Sequence, residues 1–230
     1  MSNSRPTLPR PEILIVLATV VLVVFYYLLR ADTIATLAGS RGTLSMTRGP
    51  VSPATHFIGA AIVLAIVPVF IARFGLKLRL SELGLGFGRW RAGLVWLALG
   101  IPLAILAGKI GSSSLETRFV YPLDTTVSPE LSVFIPYALL QFLYFGAWEV
   151  LFRGVLLFGL KDRIGAGPAN TLQTALSVIA HFGRPLSETL VAVPGGLIFG
   201  GICLRVRSIW YVAIIHWTVG ISLDWFILTS

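Results

Sequence analysis

Seven long apolar stretches, separated by short polar connections, constrain this chain more than any other feature of its sequence. They cover residues 13–29, 57–74, 92–107, 131–160, 170–182, 189–204 and 209–228. About 20 apolar residues in helical conformation cross the roughly 30 Å of hydrocarbon in a bilayer, and most of these stretches come close to that length. The stretch at 131–160 is too long, which predicts a helix that tilts, protrudes or breaks. The one at 170–182 is too short to span alone unless it runs on through Gly183–Pro185 or stops within the protein. Composition agrees: 56% of residues are hydrophobic and 12% are charged, against roughly 25% charged in soluble domains. The expected fold is all-α, a polytopic transmembrane bundle of about seven to eight helices forming one integral membrane domain over 1–230.

A net charge of +8 and a pI near 10.3 would suggest nucleic acid for a soluble protein. Here basic residues have another use, because Lys and Arg collect in cytoplasmic loops. With the N terminus inside, the inner segments hold Arg5, Arg10, Arg73, Lys77, Arg79, Arg89, Arg91, Lys161, Arg163, Arg205 and Arg207. The outer ones hold only Arg30, Arg41, Arg48, Lys109, Arg118 and Arg184. This predicts a multi-pass cell-membrane protein with a cytoplasmic N terminus, a bilayer as its solvent and no nucleic-acid partner. Residues 13–29 are 17 uncharged residues without a clear cleavage site after them, so they read as a retained helix rather than a signal peptide. The single cysteine, Cys203, excludes an internal disulfide and a multi-cysteine metal site.

The connections differ in kind. Residues 31–56 and 108–129 read as polar outer loops, 76–91 as a segment along the inner membrane surface, and 161–168 as a tight turn. Gly196 and Gly200, flanked by Gly195 and Gly201, place small residues on one helix, first a packing signal and second a groove for substrate.

Apart from Arg73 at the very end of 57–74, five charged or histidine side chains fall inside the apolar stretches: Glu149, Arg153, His181, His216 and Asp224. A charge at bilayer depth costs at least about 2.5–3.5 kcal/mol on insertion scales, so such residues face protein or water. Helical rise places Glu149 and His181 about 18 Å, and His216 about 12 Å, from the inner surface. Three helices could thus deliver them to one depth. Arg153, four residues after Glu149, shares its helix face. Asp224 lies eight residues beyond His216 and is a looser member.

A buried carboxylate can act as general base toward water, and imidazoles can orient that water, hold an oxyanion or protonate a leaving amine. Amide hydrolysis within the membrane fits that combination. A Glu/His₂ metal site, with zinc possible but not favoured, and a proton relay use the same residue types. Each residue also has a bland reading: a structural ion pair for Glu149–Arg153, a helix-end histidine for His181, an interfacial one beside Trp217 for His216.

Three motifs resemble the CAAX protease and bacteriocin-processing (CPBP, or Abi) family of intramembrane proteases. Trp148-Glu149-Val150-Leu151-Phe152-Arg153-Gly154 resembles its Glu-Glu-x-x-x-Arg motif, Ser177-Val178-Ile179-Ala180-His181 its Phe-x-x-x-His motif, and His216 to Gly220 its His-x-x-x-Asn/Asp motif. Upstream, Glu82-Leu83-Gly84-Leu85 and Trp90 are also similar. The resemblance implies a family-like core over about 131–228 and a glutamic-type endopeptidase without a required cofactor. Its substrate would be a membrane-embedded or membrane-tethered peptide, lipid-modified or a sorting-signal tail. The implied catalytic set is Glu149, His181 and His216, with Arg153, Glu188 and Asp224 in support. Three positions depart: Trp148 stands where the first Glu is usual, Ser177 where Phe is, and Gly220 where Asn or Asp is. The rival reading is a non-catalytic partner or immunity protein on the same scaffold, with Trp148 filling the space for substrate.

Overall fold

A computed structural model describes residues 11–28, 53–124 and 126–230. The expectations that fall on Arg5, Arg10, Arg30, Arg41, Arg48 and most of the 31–56 loop lie outside the described residues. Among the described residues every regular element is helical. In chain order they are α1 (Pro11–Leu28), α2 (Ala54–Gly75), α3 (Trp90–Gly111), α4 (Leu115–Val120), α5 (Leu131–Ile164), α6 (Ala166–Ile179), α7 (Leu186–Val206) and α8 (Trp210–Leu228). Five of them, α2, α3, α5, α7 and α8, are long and apolar enough to cross a membrane. The chain is a multi-pass membrane protein.

The long stretch neither breaks nor stops. α5 continues for 34 residues, and 78% of its most apolar window is buried, against 17% for α3. It is the central post, and the other helices turn Phe70, Leu103 and Val191 outward as a lipid-facing apolar belt. From Val150 to Phe158 its hydrogen bonds widen to π-helical spacing, a rare geometry that often accompanies functional positions. The change begins directly after Glu149.

α6, with 14 residues, is about 21 Å long, short of the roughly 30 Å of hydrocarbon. The chain then turns through residues 180–185, where Gly183 takes a φ of +89°, and α7 runs back along α6. Their seam explains the small residues of α7. A Cβ on Gly196 would stand 2.7 Å from Thr174 Cγ2, and one on Gly200 would collide with the Asn170 amide oxygen. Asn170 Nδ2 donates to Leu197 O at 3.0 Å, and Gln173 Nε2 to Gly196 O at 3.1 Å. Along the other flank α3 lies against α8, with Gly93 under Tyr211, Gly100 under Ile215 and Gly108 under Ser222.

The two ends of the bundle differ. At one, residues 76–89 dock on the α7–α8 turn rather than lying free. Arg89 N donates to Val206 O at 2.7 Å, Ile209 N to Gly84 O at 3.0 Å and Trp210 Nε1 to Leu85 O at 2.8 Å. Among the described residues nine Lys and Arg occupy this end, among them Arg79, Lys161 and Arg207, whereas Lys109, Arg118 and Arg184 occupy the other. At that second end the expected polar loop contains α4. Arg118 Nη2 donates to Ser230 Oγ at 2.7 Å, and Leu186 N to Glu116 Oε1 at 3.0 Å.

Candidate active site

Glu149 sits on α5 with its side chain fully buried. Two donors converge on one of its oxygens: Arg153 Nη1 reaches Oε1 at 3.0 Å and His216 Nδ1 reaches it at 2.7 Å. Arg153 follows on the same helix face, and α8 supplies His216. A carboxylate oxygen only accepts, so Nδ1 of His216 is assigned the proton in this contact. Among the described residues, buried Glu149 Oε2 has no hydrogen-bond partner, and neither do Arg153 Nε and Trp148 Nε1. The other faces are aromatic. The Phe145 and Phe199 rings lie 4.6 and 5.6 Å from the His216 imidazole, and the Arg153 guanidinium stands 5.7 Å over Phe199.

Depth counting from helix ends places this meeting only approximately, because α5 outruns its neighbours. The start of α8 is level with Phe158 rather than with the end of α5. A Cβ on Gly84, which accepts from Ile209 N, would stand 2.5 Å from the Phe158 ring. Counted from that level, Glu149 and His216 lie at similar depths, nine and seven residues along their helices.

His181 lies beside this pair rather than in it. Its Nδ1 donates to Ser177 O at 2.6 Å, and its Nε2 faces Glu188 Oε1 at 3.9 Å, with the imidazole within electrostatic reach of His216. The Ser177 carbonyl can only accept, so Nδ1 again holds the proton. Trp148, 4% exposed, packs edge-on against His181 at 5.2 Å and against Phe152 at 4.7 Å. Glu188 also accepts from Tyr121 OH at 2.8 Å. Nothing in the sequence flags Tyr121, which lies 67 residues away in a connecting segment.

Asp224 is fully buried two turns from His216 and touches no imidazole. Its Oδ2 accepts from Tyr137 OH at 2.6 Å and from Gln141 Nε2 at 2.8 Å. Gln141 and Tyr137 escaped sequence reading, although Gln141 stands eight residues before Glu149 as Asp224 stands eight after His216. A Cβ on Gly220 would collide with the Phe145 ring, so a side chain there has no room.

Glu149, His181 and His216 thus reach one region without pointing at one atom. Among the described residues no three His, Cys, Asp or Glu are placed to hold a metal ion. Two surface cavities, of about 250 and 330 Å³, lie elsewhere. One is lined by Phe57, Asp124 and Tyr137, the other by Ser81, Glu82, Lys161 and Arg207.

Residues 130–222 match the family model described as type II CAAX prenyl endopeptidase Rce1-like. This segment belongs to the CPBP family. That is a family of proteases, and the match spans every residue of the Glu149–His216 pair and of the His181 turn. No curated protein and no solved structure matches the chain.

Proposed function

We propose that this protein is a glutamic-type intramembrane endopeptidase in which Glu149 activates water. The observation that carries the reading is the division of labour between the two oxygens of Glu149. Oε1 takes both protein donors, and Oε2 is the free acceptor. In the reaction Oε2 takes a proton from water, and the hydroxide adds to the scissile carbonyl carbon. The tetrahedral intermediate then expels the amine, which leaves with the proton that Glu149 returns. Arg153 and His216 hold the carboxylate in its orientation. His181, with its Nε2 lone pair, orients the water and shuttles protons, while Glu188 faces it. The substrate is a membrane-embedded or membrane-tethered peptide. The basic end of the bundle lies in the cytoplasm of a cell-membrane protein, following the distribution of Lys and Arg.

A second reading has its own observation. Trp148 occupies the position where the resemblance has a Glu, and its indole covers one face of His181. A non-catalytic membrane partner would keep the scaffold and lose the chemistry.

The test is cleavage of a membrane-anchored peptide library by purified protein in lipid, compared with Glu149→Gln and with Glu149→Gln/Arg153→Met, which removes both charges together. The expected result is cleavage by the wild type alone, unchanged by chelators. Equal cleavage by either variant removes Glu149 from the chemistry. A cellular phenotype retained by Glu149→Ala, with no cleavage by the wild type, establishes the second reading.

A further inference from the structure

α5 and α8 run antiparallel in a single register with two polar contacts two turns apart. At one, His216 Nδ1 donates to Glu149 Oε1 at 2.7 Å. At the other, Tyr137 OH and Gln141 Nε2 donate to Asp224 Oδ2 at 2.6 and 2.8 Å. The spacing is eight residues on both helices, so the two contacts fit the same alignment and no other. Between them the Phe145 ring fills the space over Gly220 and reaches the His216 imidazole at 4.6 Å.

The Asp224 contact is a costly way to join two helices. Asp224 is 0% and Gln141 2% exposed. Among the described residues no Lys, Arg or His forms an ion pair with Asp224, and only neutral donors reach it. Apolar side chains at such sites are often neutral or more stabilising, and the best-attested benefit of a buried polar contact is a fixed register. Sliding α8 by one turn on α5 would strip Asp224 of both its donors and take His216 off Glu149, which would keep Arg153 alone, and an unpaired carboxylate at that depth is penalised heavily.

We propose that Asp224, Gln141 and Tyr137 form a register clamp that positions His216 on Glu149. This rests on the reading of Glu149 as the water-activating base. The three are positioning residues: they touch neither member of the Glu149–His216 pair and act through the alignment of α8. Gly220 and Phe145 are the spacer, the glycine admitting the ring that seats the imidazole. The position four residues after His216 is thereby closed to any side chain, and the polar contact sits one turn further along, at Asp224.

The experiment follows the His216 Nδ1 proton by NMR in protein carrying ¹⁵N-histidine in lipid bicelles, assigned with His216→Gln, alongside kcat and KM. Asp224→Leu removes the acceptor. Asp224→Asn keeps one for both Tyr137 and Gln141. Gly196→Ala perturbs the distant α6–α7 seam and controls for lost stability. Asp224→Leu is expected to move the Nδ1 resonance toward that of an unbonded imidazole and to lower kcat by up to about a hundredfold, as small misplacements do, with KM little changed. Asp224→Asn stays near wild type in both readouts, and Gly196→Ala leaves the resonance in place. Should Asp224→Leu not fold, Gln141→Leu, which keeps the Tyr137 donor, is read in the same way. A wild-type resonance in Asp224→Leu or Gln141→Leu overturns the clamp, and so does an Asp224→Asn protein that behaves like Asp224→Leu. If the wild type cleaves nothing, the resonance alone decides. A shifted signal then upholds the clamp while the proposed activity fails.

Discussion

Replacing Arg153 by Met tests the energetics on which the candidate site depends. The Arg153 side chain is 3% exposed and that of Glu149 0%, with 3.0 Å between Nη1 and Oε1. Methionine keeps much of the length and removes the charge, so Glu149 is left buried with His216 as its sole donor. Breaking one side of a buried pair destabilises by about 3–5 kcal/mol. Glu149→Gln strands the Arg153 cation instead. It keeps the neutral Gln oxygen as an acceptor and the Phe199 ring at 5.7 Å, the latter worth about 0.5–2 kcal/mol, so the loss is of the same order and slightly smaller. The double variant buries no charge, and His216 can still donate to the Gln oxygen. Its cost falls toward that of one altered hydrogen bond, about 1 kcal/mol. Even at the lower ends of these ranges, the two single losses together exceed that of the double variant by about 4 kcal/mol. The substitutions should therefore couple by about 4 kcal/mol or more, above the roughly 0.5–3 kcal/mol usual for residues in contact. Reversible unfolding in mixed detergent or bicelles, measured for all four proteins, gives the cycle directly. Single-variant losses that add to within about 0.5 kcal/mol in the double variant would show independent sites, and the ion pair would then be no part of the structure in the membrane.

Three further outcomes are expected. Gly196→Ala should destabilise by about 1–3 kcal/mol through overpacking against Thr174, 2.7 Å from the new Cβ, whereas Gly195→Ala, with nothing within 4 Å, should be neutral or stabilising. Equal effects of the two in an unfolding titration would refute the α6–α7 seam. Trp148→Ala should cost about 3–5 kcal/mol as a buried aromatic truncation, and a loss under 1 kcal/mol would mean that the indole is not packed as described. Glu82 lies in the segment between α2 and α3, where the Arg79 backbone N–H at 2.7 Å and the Arg79 guanidinium hold its carboxyl below the usual carboxylate range. Its folded-state value is depressed, so its contribution is present above the unfolded value and fades as pH falls through the folded one. Glu82→Gln should therefore lower stability at neutral pH by less than about 1 kcal/mol, since the pair is exposed, and the gap should close in acid. A gap that persists in acid would exclude the ionised carboxylate as its source.

What could be read from the sequence follows the range of the forces involved. Apolar length is a local property, so the spans of α2, α3, α5, α7 and α8 were legible, as was the Glu149–Arg153 pair at helical spacing. The Glu149–His216 contact was legible only as a coincidence of depth, because its formation needs the register of α8 on α5. That register is set by residues such as Gln141 and Gly220, whose meaning appears only when the helices are paired. α4 was missed because six residues carry too little periodicity and its Leu115 and Phe119 are 75% and 81% exposed. Tyr121 was missed because its partner Glu188 belongs to another part of the chain.

The geometry of Glu149 fits the role proposed for it better than that of an ion pair formed only to hold a helix in place. An arginine and a carboxylate buried only to hold two helices gain most from the bidentate arrangement, with two parallel hydrogen bonds and every oxygen engaged. Here one guanidinium nitrogen and one imidazole nitrogen crowd onto Oε1, while Oε2 and Arg153 Nε are both left without partners. Buried polar atoms are nearly always paired, by protein or by ordered water. Rotating the carboxylate toward the fork would satisfy Arg153 fully and would surrender the His216 contact. The observed arrangement gives up pairing within the protein to keep His216 in place and one oxygen open. Asp224 Oδ1 is likewise buried without a partner among the described residues, so the open oxygen alone does not mark a general base. What sets Glu149 apart is that its other oxygen is held by a cation and an imidazole, the arrangement the proposed role requires.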